Sequence, residues 1–210
     1  ALSELATSVR NELSTRDFIF DEKAFKAHVT LMRKADLAHG ELPMPVTGHG
    51  TIEYVTRLNK TLLLLSKIDN NQYAETTEVV INDIVDRYIG DYSEVYANRG
   101  VKVEVNGRSP MKVVMNEMLA TVLVTNLMKN AFVHNVDGGR VEIGIDGGML
   151  EVRNTGVDKA LDASRIFERF YQGSKKEGST GLGLAIVHSI CQQSGLSVNY
   201  EFRDGMHCFK

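Results

Sequence analysis

Apolar residues recur at helical spacing through most of the chain, and shorter stretches alternate. Leu2, Leu5, Val9 and Leu13 predict a first helix. Phe25, Val29 and Met32, behind a capping Asp21, predict a second that ends near His39-Gly40. The prolines and glycines of residues 41–50 predict a loop. From Thr51 to Asn70 the positions Val55, Leu58, Leu62 and Leu65 form a seam that Leu63 and Leu64 widen. An apolar side this broad needs more than one neighbour, as when two copies of a helical pair build a four-helix bundle. The break at Asn70-Asn71 and the polar run to Glu78 divide the chain into a helical region, residues 1–72, and a second domain, residues 73–210.

The second domain mixes both periodicities. Val79–Ala97 predicts a helix with Ile81, Ile84, Val85, Tyr88 and Ile89 inward, stopped by Asn98-Arg99-Gly100. Val101, Val103 and Val105 alternate with Lys102 and Glu104 as a half-buried strand, and Asn106-Gly107 signals its turn. Asn116 caps a helix running to about His134. Residues 140–145 and 149–153 form a hairpin about Asp146-Gly147-Gly148. Ile166–Tyr171 predicts a short apolar helix, and the polar stretch Gln172–Gly178, with Lys175 and Lys176, a mobile lid. Another helix starts near Leu184, and Ser197–Phe202 and Met206–Phe209 are the last strands. This order predicts an α/β two-layer sandwich, with helices on one face of a mixed or antiparallel sheet. It lacks the Gly-x-Gly-x-x-Gly turn after a first strand that marks a dinucleotide fold.

Three places carry candidate chemistry. The turn Ser179-Thr180-Gly181-Leu182-Gly183 runs straight into a helix, where free N–H groups suit an anion. Asn126, Asn130 and His134 stack on one side of their helix, beside its apolar stripe. Neutral carboxamides and an imidazole hold phosphate oxygens, or the waters of a magnesium ion, without adding negative charge. Asn154-Thr155-Gly156 closes a strand at a natural ligand-binding corner. Taken singly, a purely structural tight turn and a solvated helix face account for the first two equally well.

Composition narrows the classes. The formal net charge of -3 gives no electrostatic push toward nucleic acid. Two cysteines, Cys191 and Cys208, are too few for a disulfide scaffold or a thiolate zinc site. The longest apolar run, Leu62–Leu65, is far too short to span a bilayer.

Four stretches in order resemble the bacterial sensor histidine kinases, whose catalytic part shares the ATP-binding fold of gyrase, Hsp90 and MutL. Asn126–Asn135 resembles the N box, Val152–Gly156 the first glycine box, Ile166–Tyr171 the F box and Gly178–Val187 the second glycine box. Arg57–Asp69 resembles the end of the dimerisation helix. The resemblance implies the GHKL-type (Bergerat) ATP-binding fold, ATP and Mg2+ as ligands, and autophosphorylation on histidine followed by transfer to a response regulator. It implies a homodimer through the helical region, and a cytoplasmic portion of a parent in the bacterial inner membrane. It places Asn126, Asn130 and His134 near the triphosphate or ribose, with Asn130 on the metal. Asn154 and Gly156 would meet adenine, and Thr180, Gly181, Leu182 and Gly183 would cross the phosphates. Ile166, Phe167 and Phe170 would anchor the lid. The sequence departs from the family at Asn154, where relatives carry aspartate, at Val133, where many carry lysine, and at Asp158, where a second glycine is usual. His39-Gly40-Glu41-Leu42-Pro43 echoes the phosphoacceptor motif with an extra glycine, too close to Arg57 for a full hairpin, so no acceptor histidine is named. Two further readings stay open: an ATP-binding regulatory module without autophosphorylation, and a structural dimerisation module with a degenerate pocket.

Overall fold

A computed structural model of the protein describes residues 49–173 and 180–210, within a compact unit spanning Val46–Lys210. The two N-terminal helices, His39, most of the 41–50 loop and Lys175 and Lys176 of the expected lid lie outside the described residues.

Helix α1 (His49–Asp69) ends where Asn71 turns left-handed at φ 53°, as the Asn70-Asn71 break predicts. It sinks Leu65 and Ile68 into the core and packs on the helix that follows the glycine-rich turn. Two polar links pin its end: Arg169 donates to Asp69 at 2.6 Å and Gln193 to Asn71 at 2.7 Å.

Strand β1 (Thr77–Val80) pairs antiparallel with β3 (Lys112–Met115), a small sheet that periodicity does not predict. Residues 79–80 therefore belong to a strand, and helix α2 begins later, at Ile81–Val95. The joint is held by partners distant in sequence: Ile81 N–H donates to Met111 O and Met111 N–H to the Asn82 carboxamide oxygen, each at 2.9 Å. Strand β2 (Lys102–Arg108) runs past the expected turn at Asn106-Gly107, where the register shifts and Gly107 takes φ 60° as a bulge.

Helix α3 (Glu117–Val133) is capped as expected, with the Asn116 side chain accepting from Met118 and Leu119 N–H. Eight of its residues are buried, so it is the central helix, packed against α2, β5 and α4. Phe132, fully buried, stacks between Tyr92 and Tyr96 at 5.6 and 5.5 Å. The hairpin β4 (Arg140–Asp146) and β5 (Met149–Thr155) forms where predicted, with Gly147 and Gly148 both at positive φ in the turn. Helix α4 (Gly183–Gln193), β6 (Tyr200–Arg203) and β7 (Met206–Phe209) complete the chain.

The larger sheet has the order β2-β4-β5-β7-β6, parallel at β2–β4 and antiparallel elsewhere. Val141, Ile143, Ile145, Leu150 and Val152 are buried in the core, while the alternate positions carry ion pairs such as Arg153–Glu142 at 2.9 Å. One apolar face under helices and one polar face is the two-layer α/β sandwich that the element order predicts.

Candidate nucleotide site

A cleft of about 670 Å³ opens between α3, the start of α4 and the ends of β5 and β7. Helix α3 supplies one wall through Asn126, Lys129, Asn130, Val133 and His134, all on one side of the helix. The Asn126 amide donates to Val122 O at 2.7 Å, and its Oδ1 lies 3.2 Å from where a Cβ on Gly183 would sit. Helix and turn thus touch. Among the described residues the Asn130 side chain makes no hydrogen bond, and Lys129 makes no ion pair.

Thr180, Gly181 and Gly183 form the opposing rim. Gly181 sits at φ 66°, and a Cβ there would meet the Phe170 backbone at 2.7–2.9 Å, so both conformation and space demand glycine. The two segments are tied by Phe170 N–H donating to Gly181 O at 2.9 Å. Leu182, by contrast, is fully buried and contributes its side chain to the core. Among the described residues no side chain caps α4, and its first residues, Gly183 and Leu184, line the cleft.

The expected helix at Ile166–Tyr171 is not formed. Residues 163–170 are turns, and Phe170 is left-handed at φ 66°. Ile166 is buried and Phe167 stacks on His188 at 5.6 Å, but Phe170 is 41% exposed. Phe170 therefore holds the rim through its backbone rather than its ring. A six-residue apolar run has no internal signal that separates a turn from a helix.

The far end of the cleft is made by the β5 corner. Asn154, 2% exposed, donates to Thr155 O at 2.8 Å, which leaves Oδ1 as its acceptor on the cleft wall. Gly156 is packed rather than open: a Cβ there would meet the His207 ring at 2.8 Å and His134 O at 3.1 Å. Behind it lies a polar network centred on the buried Asn135. Thr155 Oγ1 donates to Asn135 Oδ1 at 2.6 Å and accepts from Arg140 N–H at 2.8 Å, while Asn135 Nδ2 donates to Ala131 O and Arg140 O. Asn135 thereby fastens the end of α3 to the hairpin, a role invisible in the motif that contains it.

His207 also escapes sequence reasoning. All four residues of β7 are buried, so no alternation flags it. Its imidazole lines the cleft, and burial pushes its pKa below the ordinary value.

The charge balance of the wall is one-sided. Arg57 and Lys129 line it, with Thr61 beside Arg57 on α1, and among the described residues no carboxylate does. Glu117, the acidic residue in the first turn of α3, is exposed roughly 13 Å along the axis from Asn126. Among the described residues the one grouping with metal-ligand spacing is Glu151, Glu201 and Cys208. Its carboxylates are paired to Lys210 and Arg203, so it is an ion-pair cluster. Both cysteines are free and buried, and burial pushes the Cys191 thiol up to about 11.

Residues 115–208 match the family described as histidine kinase-, DNA gyrase B- and HSP90-like ATPases. This stretch carries the ATPase domain of that family, and the curated relatives of the chain are sensor proteins and sensor histidine kinases. It is 31% identical over 158 residues to the sensor protein QseC of Escherichia coli K12, covering 72% of this chain and 35% of QseC. It is 30% identical over 142 residues to the heme sensor protein HssS of Staphylococcus saprophyticus, covering 65% and 31%. The chain thus spans about a third of the length of these curated relatives. The fold is shared with the histidine kinase ThkA, solved in complex with the response regulator protein TrrA: TM-score 0.56, 19% identity, 80% of this chain and 51% of that one. Residues 115–208 are accordingly an ATP-binding domain. Among the described residues no helix is long and apolar enough to cross a membrane.

Proposed function

We propose that this chain binds magnesium-ATP in the cleft, promotes autophosphorylation of a histidine, and passes the phosphoryl group to an aspartate on a response regulator. The observation that carries this reading is the composition of the wall: among the described residues it offers carboxamides and cations without a carboxylate, with Arg57 and Thr61 brought in by the helix that precedes the domain. A free-standing ATPase needs no such helix at its cleft, whereas a kinase must bring an acceptor to its nucleotide. ThkA, with its TrrA complex, supports a receiver domain as partner.

Asn126 and Asn130 hold the triphosphate end, and the N–H groups around Thr180, Gly181, Leu182 and Gly183 take phosphate oxygens. His134 stands beside phosphate or ribose, and Lys129 supplies a cation near Val133, where many relatives have lysine. Asn154 Oδ1 accepts from the adenine amino group above Gly156. A carboxamide oxygen can take one position on a magnesium ion that keeps several waters and otherwise binds phosphate oxygens; Asn130 would hold it. When bound, the ion neutralises charge on the phosphoryl oxygens. The acceptor imidazole nitrogen forms the bond to the γ-phosphorus as the bond to the β-phosphate oxygen breaks. ADP leaves with the electron pair, and the imidazole gives up its ring proton to solvent water.

Leu63, 56% exposed on α1, supports a homodimer through the helical region. The kinase reading places the chain as the cytoplasmic portion of an inner-membrane parent. The placed histidine side chains, His134, His188 and His207, all belong to the ATP-binding region, so the acceptor is not among them. Asn154 in place of an aspartate and Val133 in place of a lysine favour one second reading: a regulatory module that uses ATP occupancy without phosphorylating itself. Incubation with labelled ATP separates the two. Acid-labile, base-stable phosphate on the protein is expected of the kinase. Bound but untransferred ATP marks the regulatory module. No thermal shift with magnesium-ATP would leave a structural dimerisation module.

A further inference from the structure

His207 is a buried titratable group that nucleotide chemistry does not require, yet it sits on the cleft wall opposite Asn154 in the β5–β7 register. Its two ring nitrogens reach the two ends of one segment, residues 157–161. Nε2 lies 3.0 Å from Val157 O. Nδ1 lies 2.9 Å from the Tyr200 hydroxyl, which in turn accepts from Leu161 N–H at 3.0 Å. A carbonyl oxygen only accepts, so Nε2 carries the proton and donates. Nδ1 then accepts from the Tyr200 O–H. With the imidazole neutral, the Tyr200 hydroxyl donates to Nδ1 while accepting from Leu161 N–H, and protonation at Nδ1 would turn that hydroxyl away.

The segment so held matters because Val157 and Leu161 themselves line the cleft. Leu161 also packs against Gly173, where a Cβ would meet its Cδ2 at 2.8 Å, so the clamp reaches the described edge of the lid. The groups facing the imidazole are Tyr200 and Phe202 of β6, Asn154 of β5, Gly156 and Val157. Tyr200 is the one titratable group among these, and none carries a charge that would stabilise an imidazolium. Burial accordingly holds the His207 pKa below its usual value.

We propose that His207 is a positioning residue for nucleotide binding: its neutral imidazole, with Tyr200, fastens residues 157–161 as the floor of the adenine end, and protonation releases that floor. This rests on the reading that Asn154 marks the adenine end, and the probes below separate the two ideas.

The test measures binding of magnesium-ATP and of inorganic tripolyphosphate to the 210-residue chain by calorimetry, from pH 5 to pH 8. His207→Ala is expected to weaken ATP roughly tenfold at pH 7.5 while leaving tripolyphosphate within about twofold, because only the base end loses its floor. His207→Gln, whose amide can donate to Val157 O but cannot titrate, is expected to restore most of the affinity. Its pH profile should be flatter on the acid side than that of the wild type, a comparison that cancels protonation of ATP itself. Equal loss for ATP and tripolyphosphate, or identical pH profiles for wild type and His207→Gln, overturns the proposal. Should the alanine variant not fold, nitrogen-15 NMR of the wild type decides. A neutral Nε2–H tautomer titrating below an ordinary histidine is required, and an Nδ1–H tautomer or an ordinary pKa overturns it. Wild-type protein that binds tripolyphosphate but not ATP would instead defeat the assignment of Asn154 to adenine.

Discussion

The end of the cleft around Asn126 and Asn130 is built by two helices, and the end around Asn154 by strands and the segment that follows one of them. At the first end, the residues that line the wall are neighbours by helical geometry: Asn126, Asn130 and His134 share a side because they are four apart. At the second, Asn154 faces the cleft beside His207, 53 positions later, because β5 and β7 pair. The helical end is thus set by local periodicity, and its polar side chains line the cleft. The strand end is set by long-range register, and its polar groups are largely spent on one another: Asn154 on Thr155 O, Thr155 on Asn135, His207 on Val157 and Tyr200. One end is a contact surface, while the other is a scaffold that shapes a contact surface.

The change that should erase the contrast acts behind both ends. Phe132→Ala removes a fully buried ring stacked between two tyrosines, and α3 supports the whole cleft. A loss of about 3–5 kcal/mol is expected in urea unfolding. A smaller loss would mean that Tyr92 and Tyr96 collapse into the space.

Breaking the helical end alone should cost ligand and not fold. Asn130→Ala is expected to weaken magnesium-ATP about 100-fold by calorimetry, at the upper end of what a hydrogen bond to a charged group contributes, with an unchanged unfolding midpoint. Retained affinity would remove Asn130 from the metal and phosphate site.

The strand end should respond the other way, in fold before ligand. Asn154→Asp loses the donor to Thr155 O and places a carboxylate at a position 2% exposed. About 1–3 kcal/mol of destabilisation at pH 8 is expected, measured by urea unfolding. Unchanged stability with tighter ATP binding would show that the corner accepts the aspartate found in relatives.

The smallest effect is that of pH. Burial lowers the folded-state pKa of His207 below 6.5, so between the two values the unfolded chain binds more protons. Stability from the neutral imidazole is present above about pH 6.5, the unfolded value, and is lost as pH falls through the folded one. Thermal midpoints from pH 8 to pH 5 should fall more steeply for the wild type than for His207→Gln. Parallel curves would show that His207 does not titrate with folding.

Periodicity and caps made much of this protein legible before any coordinates. Helix α1 with its stop at Asn70-Asn71, helix α3 with its Asn116 cap, the hairpin about Asp146-Gly147-Gly148 and the polar stack of Asn126, Asn130 and His134 are all decided within a few residues of chain. Local sterics and hydrogen bonds suffice for them. The rest depends on partners far away in sequence. Thr77–Val80 is a strand only because Lys112–Met115 lies beside it, and Asn106-Gly107 is a bulge rather than a turn only because β4 continues the ladder. Ile166–Phe170 forms turns in which Phe170 takes a left-handed backbone that Gly181 must accommodate. Asn135 and His207 become structural keys only once the end of α3, the β5 corner and β7 are brought together. Short-range periodicity thus determined which helix would present polar groups to a ligand. Tertiary pairing decided what stands opposite them, since a hydrogen bond between residues tens of positions apart leaves no periodic trace in either segment.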